Sequence, residues 1–238
     1  MGWPQIVFIV WFGAALGVAM LKHGTPFPQG GRWNGWLLAL RWLVLAVILT
    51  LGGFFTPAHA QIPASAQQYK RALVRVAHSE WGLGAPVAVF AAQIHQESGW
   101  RHVAVSHVGA EGLAQFMPGT AQWWCDRTGT AAADCQPTNP TWAMRSLVGY
   151  DKWLYDRAPA HYTPRDRMWV ALRAYNGGLG HWQREAASTG LAQPSRAQVD
   201  AACGKARRAA VHCKENLGYP HRILVVIQPR YLQWGPGL

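Results

Sequence analysis

Four times between residues 60 and 180, a capping residue or a proline opens a run of apolar side chains spaced three and four positions apart. Ser65 precedes Tyr69, Leu73, Val76 and Ala77, and Pro86 precedes Val87, Phe90, Ala91 and Ile94, with Gly99 as the stop. Asn139-Pro140 leads into Met144, Leu147, Val148 and Leu154, and Thr163-Pro164 into Met168, Ala171, Leu172 and Tyr175, ending at Gly177-Gly178. A period near 3.6 with proline at the first helical position and glycine after the last describes amphipathic helices and excludes a sheet protein. Pro118 opens a further short helix. The stretch from His102 to Gly112, rich in Val, Ser and Gly, is the one place for a small irregular sheet. There is no internal repeat. The expected body, residues 61–238, is one mostly α domain with a minor β element.

Residues 1–60 differ in kind. Two apolar stretches, 3–21 and 36–55, flank a Gly/Pro-rich loop carrying Lys22 and Arg32. Read as a helical hairpin, each stretch approaches the ~20 residues that span a bilayer, and the positive loop stays cytoplasmic. Read as a signal peptide, Arg32 and Arg41 form the basic region, Trp42 to Phe55 the apolar region, and Ala58-His59-Ala60 a small-x-small cleavage site. Both readings export the body, either released after Ala60 or anchored in the inner membrane.

All eleven acidic residues follow position 60, as do nineteen of the twenty-two Lys and Arg residues, so the body carries +8. A basic exported domain is drawn to polyanions such as a cell wall. Apart from Lys205, Arg207 and Arg208 the charges are scattered, and no element reads as a nucleic-acid groove reader. The four cysteines also lie in the body and fit an oxidising compartment. Of three possible pairings, Cys125 with Cys135 and Cys203 with Cys213 is expected, because each pair flanks nine polar, turn-rich residues. Neither interval has zinc-ligand spacing, so no metal and no cofactor is expected.

Glu97 falls three residues after Ile94 and continues the apolar face of its helix, whereas Gln93 and Gln96 are expected to point to water. Burial raises a carboxyl pKa, which suits a general acid near neutral pH. Taken by itself, Glu97 equally fits a turn cap or a partner for Arg101.

Three further segments follow in order. Glu97-Ser98 is succeeded by Gly112-Leu113-Ala114-Gln115-Phe116-Met117-Pro118, by Ala174-Tyr175-Asn176-Gly177-Gly178, and by Glu215-Asn216 with Tyr219. From about Gln67 to Val226 the chain resembles the soluble lytic transglycosylases, whose pattern is Glu-Ser, Gly-Leu-Met-Gln, Ala-Tyr-Asn and a late Glu four residues before a Tyr. The resemblance implies an α+β lysozyme-like fold and a peptidoglycan-cleaving enzyme with Glu97 as its catalytic acid and base. It also implies Ser98, Ser106, Gln115, Met117, Tyr175, Asn176, Glu215 and Tyr219 as substrate-binding or cleft residues, with Ser106 beside the carboxyl and the Tyr175 hydroxyl positioning the sugar. Packing is the competing account of Met117 and Tyr219. Ala114 stands where the family has Met, which puts subsite shape in doubt and leaves space near the cleft.

Glycosidases that use water generally need two carboxylates, whereas a lytic transglycosylase needs one, because the MurNAc C6 hydroxyl attacks its own C1. Glu111 is expected to be exposed or ion-paired. Trp100, Trp123 and Trp124 lie near the motif segments and could stack on sugars, but core or rim packing is the default expectation for each. The expected partners are peptidoglycan glycan strands and, if uncleaved, the inner membrane; nucleic acid is not one, and the protein is expected to be monomeric. Two other readings remain open: a goose-type muramidase that uses water, and a non-catalytic wall-binding component of a secretion or phage machine. The ending from Ala174-Tyr175-Asn176-Gly177-Gly178-Leu179-Gly180 through Cys213-Lys214-Glu215-Asn216 is similar to phage and prophage members; wall remodelling, local wall opening and phage lysis all stay open.

Overall fold

The computed structural model describes residues 62–238 continuously and, before them, 11–15, 18, 21, 40–45 and 47. The chain divides into two compact units, Met1–Gln61 and Ile62–Leu238. In the first, the described residues are helical and Trp11 meets Trp42 edge-on at 4.8 Å between ring centroids. The expected cleavage site Ala58-His59-Ala60 lies outside the described residues. Among the described residues, no helix is long and apolar enough to cross a membrane.

The second unit is a helical assembly. Its helices are α1 (Ala64–Gln67), α2 (Lys70–Trp81), α3 (Val87–Ser98), α4 (Pro118–Thr128), α5 (Pro140–Tyr155), α6 (Pro164–Gly177), α7 (Leu179–Ser188), α8 (Arg196–Ala201), α9 (Cys213–His221) and α10 (Gln228–Tyr231). The caps follow from the sequence: the Asn139 side chain accepts from Thr141 and Trp142 N–H groups, and Thr163 accepts from Asp166. Ser65 is no cap, because it sits inside α1, and Tyr69 precedes α2 without a side-chain capping bond.

Helix α3 is the centre. From Val87 to Ile94 none of its residues is exposed, so it is enclosed on every side. Helix α2 and helix α6 both pack on α5, while α9, the segment after it and α10 cover α6 and α3. Trp81 ties α2 to α5 through a 3.1 Å bond from its indole N–H to the Val148 carbonyl. The expected small sheet is reduced to two isolated bridges, Val105 with Glu111 and Glu111 with Phe116. Beyond α9 the chain winds as a π-helix over Arg222–Ile227. Pro220 and Pro229 flank that segment, and neither has the N–H that regular α winding requires.

Two disulfides join Cys125 to Cys135 and Cys203 to Cys213. Arg208, in the second loop, is buried and donates to Glu185 at 2.7 Å, so Lys205, Arg207 and Arg208 are not a shared surface patch. Arg173 and Glu185, both unexposed, pair at 2.5 Å, and Arg173 also reaches Asp200 at 2.8 Å. Opposed charges inside the core remain tolerable when each has a partner and hydrogen bonds complete the set.

Candidate active site

Glu97 occupies the last turn of α3, which Gly99 ends in the left-handed conformation at φ 58°. As a residue Glu97 is half-buried, but protein atoms crowd its carboxyl. Burial is the main cause that pushes that carboxyl up to about 7; a hydrogen bond from Tyr219 pulls it down and the charge of Glu215 pushes it further up. No ion pair joins it to Arg101, whose side chain donates to the Ser98 carbonyl instead.

The loop after α3 is folded by its own polar atoms. Gln115, at φ 48°, sends its amide N–H groups to the carbonyls of Ala104 (3.1 Å) and Gly112 (2.9 Å), fastening the loop from inside. Gly112 has φ 76°, and a Cβ there would lie 1.9 Å from the Pro137 carbonyl oxygen, so only glycine fits. Ser106 accepts from the Ala110 N–H at 2.9 Å, and Ser98 turns back to the Ile94 carbonyl at 3.3 Å. Neither serine is hydrogen-bonded to Glu97. Met117 is exposed at the start of α4, and Glu111, which makes no ion pair among the described residues, is half-buried in its two bridges.

The other motif segments are hydrogen-bonded to one another. Tyr175, in the last turn of α6, donates to the Ala114 carbonyl at 2.6 Å, and its ring meets Phe116 edge-on. The hydroxyl expected to position the sugar is thereby placed on the loop. Ala114 is wholly buried and packs in the core. Asn176 donates to Glu215 at 3.4 Å and accepts from Asn216 at 3.0 Å; Asn216 in turn exchanges hydrogen bonds with Arg173. Gly177 sits tight against this cluster, where a Cβ would fall 2.3 Å from Arg208 Nη1. Helix α9 then presents Tyr219, whose hydroxyl donates to Glu97 Oε1. Burial first, and the Glu97 charge second, hold the Tyr219 and Tyr175 hydroxyls well above the ordinary phenol range, so both are neutral donors.

One sequence expectation is corrected here, and the packing expected of the tryptophans is found at two of the three. Gln93 does not face water; it is wholly buried and donates to Asp151 at 3.4 Å. Trp100 is a core residue, 1% exposed, with its indole N–H on the Tyr231 hydroxyl at 2.7 Å. Trp124 is buried as well, while Trp123 is 41% exposed beside the Arg127 guanidinium. Asp151, Arg173 and Glu185 were not singled out from the sequence; the available signal was a charge interrupting an apolar helical stripe. Among the described residues, no group of three or more His, Cys, Asp or Glu side chains is placed to hold a metal ion.

The family profile of the Transglycosylase SLT domain matches residues 76–196. Over 102 residues the chain is 38% identical to the membrane-bound lytic murein transglycosylase F of Maricaulis maris, covering 43% of this chain and 19% of that protein. The protein of the same name from Haemophilus influenzae is 34% identical over 104 residues, 43% of this chain and 18% of its own length. The chain therefore spans about a fifth of the length of these relatives. Among solved structures, an inactive mutant of lytic transglycosylase Slt from Pseudomonas aeruginosa superposes with a TM-score of 0.54 at 20% identity, covering 84% of this chain and 29% of that one, a likeness of fold.

Proposed function

The chain belongs to the transglycosylase SLT domain family, and on that premise we propose that it is a peptidoglycan lytic transglycosylase with Glu97 as its only catalytic acid and base. One observation carries the reading. Glu97 has a carboxyl raised to about 7, where it can both give and take a proton near neutrality, and a neutral Tyr219 donor that steadies its anion.

In the first half-reaction Glu97 protonates the oxygen linking MurNAc C1 to the GlcNAc leaving group, and the C1–O bond breaks. In the second, the Glu97 carboxylate takes the proton of the MurNAc C6 hydroxyl, whose oxygen bonds to C1 and closes a 1,6-anhydro ring. Glu97 ends protonated and no water is consumed. Intramolecular attack gains from high effective molarity, which replaces a water-activating second carboxylate. Tyr175 acts through the 112–115 loop that it holds, and Asn176 and Glu215 form the facing wall.

A water-using muramidase is the second reading, because Glu215 is exposed and within electrostatic reach of Glu97. The two disulfides and the apolar stretches 3–21 and 36–55 support export to the periplasm. Mass spectrometry of digested sacculi tests the reaction: anhydro muropeptides are lighter by one water and resist borohydride. Reducing MurNAc ends as the main product would establish the water-using reading, and no released product would establish a non-catalytic wall component.

A further inference from the structure

Asp151 on α5 and Gln93 on α3 are both wholly buried, and one 3.4 Å bond from Gln93 Nε2 to Asp151 Oδ1 joins them. The two remaining oxygens, Gln93 Oε1 and Asp151 Oδ2, have no hydrogen-bond partner among the described residues. While Asp151 is a carboxylate, neither oxygen can satisfy the other, since both only accept. No Lys, Arg or His forms an ion pair with Asp151 among the described residues.

We infer that Asp151 is a neutral carboxylic acid closed onto Gln93 by two reciprocal hydrogen bonds, amide N–H to Oδ1 and Oδ2–H to the amide oxygen, forming an uncharged wall behind Glu97. One proton placed on Oδ2 removes both orphaned oxygens at once, whereas buried unpaired polar atoms are otherwise rare and costly. The surroundings favour that proton. Burial first and the Glu97 charge second hold the Asp151 carboxyl well above the usual carboxylate range, against the pull of Gln93. The titratable groups that feel Asp151 are themselves acids: Glu97 on α3, Tyr150 beside it on α5, Tyr175 on α6 and Tyr219 on α9. No charged group of α2, which also packs on α5, is among those that shift it.

Gln93 lies one helical turn before Glu97, so the pair sits directly beneath the last turn of α3. This role rests on the reading of Glu97 as acid and base. Glu97 must become an anion in mid-cycle, and a second buried anion behind it would make that state costly. A neutral Asp151 leaves Glu97 the first of the two to lose its proton. Asp151 is thus a positioning residue, acting through Gln93 and α3.

The test uses the full chain and has two independent arms. In infrared difference spectra of wild type against Asp151→Asn at pH 7, wild type should show a protonated-acid carbonyl band that the variant lacks; a carboxylate band in its place overturns the inference. This arm needs no activity, so it stands even if the lytic reading fails. In the kinetic arm, Asp151→Leu, which strands the Gln93 amide, should lower kcat by about tenfold or more, and Asn at the same position should restore most of it. The Glu97 limb of the kcat/KM profile should stay within about half a pH unit in Asp151→Asn. A downward move of about one unit or more would mean a lost negative charge and would overturn the inference, as would equal losses with Asn and Leu.

Discussion

Tyr219 donates its hydroxyl hydrogen to Glu97 Oε1 across 122 residues of sequence, and this contact opposes what burial does to the same carboxyl. Burial raises Glu97 and the hydroxyl, which stabilises the anion, lowers it, with a resultant of about 7. The acid form begins the reaction, so kcat/KM should be level below neutrality and fall as pH rises through about 7.

Tyr219→Phe keeps the ring and removes the hydroxyl. The anion loses its donor, so Glu97 should titrate higher, moving the descending limb to higher pH by about one unit. Turnover should drop on the order of tenfold or more, as expected for one hydrogen bond to a charged group. A pH series of kcat and kcat/KM reads both effects. A limb moving to lower pH would show that Tyr219 does not stabilise the carboxylate.

Glu97→Gln should stabilise the fold in a defined pH window. The native carboxyl, raised to about 7 from 4.5, binds its proton more tightly than the unfolded chain does, so stability falls as pH rises from 4.5 through about 7. The glutamine variant does not titrate. Its advantage should be absent below pH 4.5, grow through the window, and level off above 7 at no more than about 3 to 4 kcal/mol. Thermal melts of both proteins at several pH values check this, and the variant should be inactive throughout.

Helices α3, α5 and α6 were legible in the sequence because their starts carry Pro86, Asn139-Pro140 and Thr163-Pro164 and their core faces repeat at helical spacing. Glu97, Tyr175 and Tyr219 could be read by motif. Asp151, Arg173 and Glu185 could not, because a charged residue on a helix reads as solvated unless its partner on a distant helix is known. Arg173 meets Asn216, 43 positions away, and Gln93 meets Asp151, 58 positions away. Trp100 was ambiguous for a similar reason: only the packed structure brings Tyr69, Tyr231 and Trp234 around it. The π-winding after α9 lies between two prolines, which signal interrupted winding without specifying its form.

Arg173 couples the site to the core. Its guanidinium bonds Glu185, Asp200 and Asn216, and Asn216 lies three residues before Tyr219 on α9. Glu185→Gln leaves Arg173 and Arg208 without their shared buried anion, so it should cost about 3 to 5 kcal/mol, measured by urea unfolding. A cost under about 1 kcal/mol would mean that water reaches and solvates these charges.

Glu215→Gln separates the two enzymatic readings. Glu215 is exposed, is held by Asn176, and its charge helps raise Glu97. If the substrate's own C6 hydroxyl is the nucleophile, no base is lost in the variant. Removing the nearby negative charge should then let Glu97 titrate lower, moving the kcat/KM limb to lower pH by less than about one unit, because solvent screens an exposed charge. That shift should shrink as salt is added, with a Debye length of about 10 Å at 0.1 M. Loss of a wall contact should appear in KM, with kcat reduced by less than about tenfold. If Glu215 activates a water, the same variant removes the base, and kcat should fall by about a hundredfold or more with reducing ends lost from the products. A single digest of sacculi by wild type and variant, followed by mass spectrometry and a pH series, therefore shows whether the late glutamate shapes the field around Glu97 or shares the chemistry with it.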